Sequence, residues 1–305
     1  MEEVDSAASG KASDTSHCAS CGIAESDDIK LTTCAANCNL VRYCSVACQE
    51  HHRSQHEAVC KKRVAELRDD LLFTQPDSND CPICFLPLPI DKMKRRLMSC
   101  CSKVICDGCI HAGITRLIVN GSLQGLCPFC RHAPPATKEE AHANVMRRAD
   151  SNDPAALFQV GSIHYRKAEY NEAFRYWSEA ANLGDAVAHQ NLSVLYREGK
   201  HVEMNEKRAT YHLEEAAIAG QPDARFNLTL LEWYEGSKER AMKHFIIAAI
   251  LGEGDSVKKL MHGYKEGIVS KDDFAAALRA HQAAVDAMKS PQREAAEKLK
   301  PKKVK

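Results

Sequence analysis

Between Asp150 and Ser290 small and apolar positions return at a nearly fixed interval, and the interval predicts helices. Ala180-Ala181-x-x-Gly184, Ala216-Ala217-x-x-Gly220 and Ala248-Ala249-x-x-Gly252 are each followed by a small residue (Ala188, Ala224 or Ser256) and then by Leu192, Leu228 or Leu260. The glycines lie 36 and then 32 residues apart, within the range of helix-turn-helix repeats. Glycine suits a helix end that needs a left-handed residue, and alanine lets the next helix pack closely. A weak first unit begins near Asp153 and a divergent last one ends near Ser290, about four units, enough for a stacked core. Trp177, Tyr196, Trp233 and Tyr264 are expected to pack between these helices. A shorter helical pattern, Ile110, Ile114, Leu117 and Ile118, follows Cys109. The longest apolar run, Phe245 to Leu251, falls far short of the roughly 20 residues a membrane span needs.

Cysteine changes this picture. All 15 cysteines lie between Cys18 and Cys130, and none occurs in the last 175 of the 305 residues. Pairs at C-x-x-C spacing in a reducing compartment are zinc ligands far more often than disulfides. The chain carries no basic start followed by an apolar stretch, so a soluble, intracellular protein of cytoplasm or nucleus is expected. Its 41 basic and 41 acidic residues leave no overall field toward nucleic acid or membrane. The polar, acidic start (1–16) is expected to be disordered, as is the basic end (291–305) with Lys298, Lys300, Lys302, Lys303 and Lys305. A nuclear-import or anion-binding role for that end is the alternative.

The first cluster runs Cys18, Cys21, Cys34, Cys38, Cys44, Cys48, His56 and Cys60, eight donors for two tetrahedral ions. His51 and His52 compete with His56 as donors, His56 being preferred. The Cys18-x2-Cys21 pair, the Arg42-Tyr43-Cys44-Ser45 run, Cys48-Gln49 and His56-x3-Cys60 resemble the MYND zinc finger. The resemblance implies interleaved pairing, with Cys18, Cys21, Cys44 and Cys48 on one zinc and Cys34, Cys38, His56 and Cys60 on the other. Cys34-x3-Cys38 is one residue longer than usual. MYND fingers bind proline-containing peptides; Gln49 is in place for this, but Arg53 stands where the family has Trp, so a purely structural role is the alternative.

The second cluster is Cys81, Cys84, Cys100, Cys101, Cys106, Cys109, Cys127 and Cys130, which uses every remaining cysteine and leaves no free thiol nucleophile. Its CPICFLPLPI, CCSKVICDGC and CPFCR runs resemble an all-cysteine RING finger, with a PHD finger as runner-up. The RING resemblance implies one zinc on Cys81, Cys84, Cys106 and Cys109 and one on Cys100, Cys101, Cys127 and Cys130. It further implies that Ile83, Pro128 and Arg131 contact a ubiquitin-conjugating enzyme. Adjacent Cys100 and Cys101 depart from the family pattern, and Gly113 stands where many ligases carry a bulky apolar residue, which Ile114 would have to replace.

The alanine-glycine repeats resemble the SEL-one-like relatives of tetratricopeptide repeats, carried by EAANLGDAVAHQNLSVLY and EEAAIAGQPDARFNLTLL. The expected organisation is multidomain: a MYND-type finger (17–60), a helical linker (61–79), a RING-type finger (80–132), a linker (133–152) and helical repeats (153–290). In fold class it is two small zinc-stabilised α+β cross-brace modules holding four zinc ions, followed by an all-α solenoid. The expected function is protein interaction through repeats and MYND finger, with a RING-type ubiquitin ligase as the leading form. The alternative is a non-catalytic scaffold or transcriptional adaptor.

Overall fold

A computed structural model describes residues 16–76, 79–119, 125–199 and 201–299, residues 117–119 by their backbone alone. The acidic start up to residue 15, the lysines from Lys300 onward and the side chains of Leu117 and Ile118 lie outside the described residues. The chain divides into two compact units, Met1–Leu72 and Phe73–Lys305.

Among its described residues the first unit carries the antiparallel pair β1 (Thr32–Thr33) and β2 (Arg42–Tyr43), with Thr32 opposite Tyr43, followed by helix α1 (Val46–Phe73). Its core is Leu31, Tyr43 and four cysteines, Cys18, Cys34, Cys38 and Cys60. Even with the half-buried Ile29, Leu40, Val41 and Val64 packed on it, this core is too small to stabilise the unit alone, so cross-linking by metal must supply folding energy. Arg42 reinforces it, donating to both Glu25 carboxylate oxygens at 2.6 and 3.0 Å and to the Leu31 carbonyl at 2.6 Å.

The second unit opens with a 3-10 turn (Lys92–Lys94) and a hairpin, β3 (Arg95–Leu97) with β4 (Val104–Cys106), leading into α2 (Asp107–Val119). Helix α3 (Lys138–Ala149) follows, its first turn closed by Thr137, whose hydroxyl accepts from the Glu140 amide, while Glu140 accepts from the Ala136 amide. Then come the repeats: α4 (Pro154–Arg166), α5 (Tyr170–Asn182), α6 (Ala186–Glu198), α7 (Glu206–Ile218), α8 (Pro222–Tyr234), α9 (Lys238–Ile250), α10 (Gly254–Lys265) and α11 (Lys271–Ala287). Consecutive helices pack on one another, giving four helix pairs and an all-α solenoid.

The repeated Ala-Ala-x-x-Gly motif has a local cause. Helices α5, α7 and α9 each end two residues before Gly184, Gly220 or Gly252, which adopt φ of +86°, +81° and +95°. In the first copy the Gly184 amide bonds to the Ala181 carbonyl and the Asp185 amide to the Ala180 carbonyl; Ala216–Ala217 and Ala248–Ala249 accept in the same way. The small residue that follows is buried in every unit: Ala188 and Ala224 at 0% exposure, Ser256 at 2%. A side chain further along also bonds to the second alanine carbonyl of each motif: His189 Nε2 to Ala181 at 3.0 Å, Arg225 Nη2 to Ala217 at 2.9 Å, and His281 Nδ1 to Ala249 at 3.1 Å.

Trp177 and Tyr196 are buried and Trp233 half-buried, while Tyr264 of α10, 40% exposed, packs by one face, stacked on Phe274 of α11 at the last, divergent helix pair. One expectation is corrected. The segment expected to be a disordered basic end begins instead with a further helix, α12 (Pro291–Lys298). Proline at its start, the Ser290 hydroxyl accepting from the Arg293 amide, and burial of Ala296 favour the helix. Among the described residues no helix is long and apolar enough to cross a membrane.

Candidate metal centres

Four groups of donor atoms come together: Cys18, Cys21, Cys44 and Cys48; Cys34, Cys38, His56 and Cys60; Cys81, Cys84, Cys106 and Cys109; Cys100, Cys101, Cys127 and Cys130. Within each group all donor atoms lie within 4.8 Å of one another. Pairwise separations are 3.5 Å for Cys21 and Cys44, 3.6 Å for Cys34 and Cys60, 3.8 Å for Cys84 and Cys106, and 3.9 Å for Cys101 and Cys127. Four sulfurs about 2.3 Å from a tetrahedral zinc stand about 3.8 Å apart, so the donor sets fit the ion and are too open for disulfides. In both modules the groups alternate along the chain, so each ion clamps segments that the other ion also spans.

Local turns aim the sulfurs. At Cys18, Cys81 and Cys127 the amide four residues on bonds to the cysteine carbonyl, and the cysteine amide bonds to the carbonyl five residues on. This loop demands a left-handed residue just after the second cysteine, filled by Gly22, Phe85 and Arg131 at φ of +76°, +55° and +61°. The long Cys34-x3-Cys38 spacing is absorbed by Asn37, at φ +52°, whose amide donates to the Cys34 carbonyl at 2.7 Å. Adjacent Cys100 and Cys101 sit in the β3–β4 turn, where the Cys101 and Ser102 amides both donate to the Met98 carbonyl. That tight reversal brings Cys100 to 3.4 Å from Cys130 and Cys101 to 3.9 Å from Cys127.

The same turns bias the thiols. Burial pushes Cys18, Cys34, Cys81 and Cys127 up, but hydrogen bonds to the sulfurs, chiefly from loop amides, outweigh it; Cys18 comes down to about 6 and Cys81 to about 7. Each donor set thus holds one sulfur favoured as thiolate. Others go the opposite way: neighbouring thiols Cys21 and Cys48 raise Cys44 to about 12, and burial raises Cys60 to about 12. A divalent cation held by these sulfurs would supply the charge that ionises the rest.

His56, buried, brings Nε2 to 3.2 Å from Cys38 Sγ. His52 is engaged elsewhere, with Nδ1 3.1 Å from the Tyr43 hydroxyl, and His51 lies 3.4 Å from the Ser20 hydroxyl. Gln49 is half-buried and Arg53 exposed. In the second module Ile83 is half-buried against the cysteine core, and Arg131 is exposed. Gly113 has a packing reason for being small: a Cβ there would lie 3.2 Å from Pro128 Cβ, so the last cysteine loop rests directly on α2.

Two residues without a signal in the cysteine spacing complete the second module. Arg148 on α3 donates from Nε to the Ser102 hydroxyl at 2.8 Å and from Nη1 to the Cys100 carbonyl at 3.4 Å, while pairing with Asp153. Arg293 on α12 donates from Nη1 to the Pro87 and Met288 carbonyls, both at 2.7 Å, and from Nη2 to the Leu86 carbonyl at 3.3 Å and Cys84 Sγ at 3.5 Å.

Residues 18–60 match the family model of the MYND finger. A protein of Neisseria meningitidis serogroup B described as uncharacterized is 27% identical, over 32% of this chain and 28% of its own length. The chain thus spans little more than a quarter of the curated relative it matches. Among solved structures, a Sel1 repeat protein from Oxalobacter formigenes is 26% identical, over 39% of this chain and 96% of that one, with a TM-score of 0.36. A protective antigen of uropathogenic Escherichia coli strains, displaying an SLR fold, is 21% identical over 54% of this chain and 37% of that one, with a TM-score of 0.38.

Proposed function

We propose that this zinc-clamped scaffold recruits a ubiquitin-conjugating enzyme through its second cysteine module and acts as a RING-type ubiquitin ligase, while repeats and MYND finger gather protein substrates. The supporting observation is apolar exposure on two cysteine loops and the helix between them. Phe85 is 76% exposed, Ile114 46% and Phe129 42%, in a module with few apolar residues to spare for its core. Large apolar side chains left exposed on so small a module favour a role in contacting a partner. Pro128, packed on Gly113, holds the last loop beside Ile114. Ile83 and Pro128 serve docking, and Arg131, with five guanidinium donors, bridges ubiquitin and its carrier. The chemistry is orientation of a thioester for attack, with no covalent intermediate on this chain.

The test is discharge of ubiquitin from a broad panel of charged conjugating enzymes by the zinc-loaded chain. Ile83→Ala should weaken recruitment about ten-fold or more, the effect of losing roughly 1.5 to 3 kcal/mol of apolar burial. Arg131→Ala should slow discharge while recruitment persists. Silence across the panel would leave the non-catalytic scaffold as the function.

A further inference from the structure

Zinc with four thiolates carries two net negative charges, and such a site in a partly dry setting needs compensating donors. At the third donor set that compensation comes from the far end of the chain. The Arg293 guanidinium lies against Cys84 Sγ, 209 residues earlier in sequence, while its other N–H groups tie together the carbonyls of Leu86, Pro87 and Met288. Leu86 and Pro87 belong to the loop that leaves Cys84, and Met288 to the end of α11. Cys106, from the same donor set, also interacts with this guanidinium. Backbone fit seals the arrangement. Gly108, between Cys106 and Cys109, has no side chain, and a Cβ there would fall 2.7 Å from the Arg293 amide nitrogen and Cγ. A second tie, Lys94 to Glu297 at 2.6 Å, joins the same helix to the module.

We propose that Arg293 is a positioning residue of the third zinc site, and that zinc there and the docking of α12 stabilise each other. Coupling of two bound elements is reciprocal: a helix that stabilises the metal-bound form is itself held by the metal. Helix α12 is therefore a working part of the second cysteine module, and loss of one ion would free it. The inference rests on zinc binding by that module and not on ubiquitin transfer.

The test uses the full chain loaded with four zinc ions and challenged with excess chelator, with thiol alkylation mapped by mass spectrometry to show which donor set opens. Arg293→Met should release one ion about ten-fold faster or more, with Cys81, Cys84, Cys106 and Cys109 labelled first and the other sets unchanged. Arg293→Lys, which keeps charge but not the fork, should fall between. In the wild type, amide exchange across α12 should accelerate in step with the labelling of Cys84. Glu297→Gln, which removes only a surface ion pair of small energetic weight, should speed zinc release far less than either Arg293 variant. Unchanged release in both Arg293 variants, or an α12 that stays protected once that ion has gone, would overturn the proposal. If Arg293→Met does not fold, the lysine variant and the wild-type exchange decide it. A wild-type chain that binds no ion at Cys81, Cys84, Cys106 and Cys109 would remove the site and the role together.

Discussion

Gly108 and Arg293 meet backbone to backbone, in α2 and α12, at a distance that leaves no room for even one methyl group. Gly108→Ala should therefore destabilise the second unit although alanine favours helix. Overpacking costs typically about 1 to 3 kcal/mol against a propensity gain of about 1. Lower stability to urea with faster amide exchange in α12 is the expected result; a more stable protein would mean that the two helices separate freely.

Sixteen donors in four sets should bind four zinc ions per chain. Elemental analysis of the purified protein checks this, and a content near two would refute the pairing. Strong chelation should unfold both cysteine modules, whose cores are largely the ligands themselves, while circular dichroism retains most of the helical signal of α4 to α11.

Gly184 has a φ of +86° and nothing within 4 Å of where a Cβ would stand, so Gly184→Ala isolates conformational cost from clash. A loss of about 1 to 2 kcal/mol in unfolding free energy is expected. Gly161→Ala is the contrasting case: its Cβ would lie 2.6 Å from Trp177 Cδ1, and Trp177 is fixed by donating to the Phe158 carbonyl at 3.3 Å, so the loss there is steric. An unchanged melting temperature for Gly184→Ala would count against the helix-end role.

Arg131 occupies a left-handed position that a knuckle loop demands, at φ +61°. Arg131→Gly removes the guanidinium while suiting the backbone better than alanine does. Zinc content and thermal stability should be kept or raised, by up to about 1 kcal/mol, while discharge of ubiquitin slows. Loss of zinc in this variant would show that the side chain, not the turn, holds the loop.

His212 faces His189 with their Nδ1 atoms 2.9 Å apart. His189 Nε2 lies 3.0 Å from the Ala181 carbonyl, to which it donates; in the neutral ring its Nδ1 then accepts and His212 donates. Burial, then His189, lower His212 from 6.5 to about 4, with Glu215 opposing and Arg208 adding. Unfolded His212 takes up a proton below about pH 6.5 that the folded ring refuses until about pH 4, so stability is full above this window and falls as pH drops through it. The loss is on the order of 1 to 3 kcal/mol. Urea titrations of wild type and His212→Leu should show a stability difference that shifts against the wild type between pH 6.5 and 4.5; a constant difference would refute it.

What the sequence determined by itself was whatever depends on neighbours in the chain. Knuckle spacing puts two sulfurs on one loop, and Ala-Ala-x-x-Gly ends a helix through bonds spanning only five residues, so donors and repeats were both legible. Gly113 read as a defect because its partner, Pro128, lies beyond the end of α2. Helix α12 was invisible because a short, lysine-rich segment looks like a solvated end until a surface is present to receive it. Arg148 and Arg293 carry no pattern at all: their acceptors, the Cys100 carbonyl and the Cys84 sulfur, are 48 and 209 residues away, and only chain folding brings each cation to them. Local geometry wrote the ligands into the sequence; their support was decided by tertiary packing, where one arginine can serve any carbonyl or sulfur within reach.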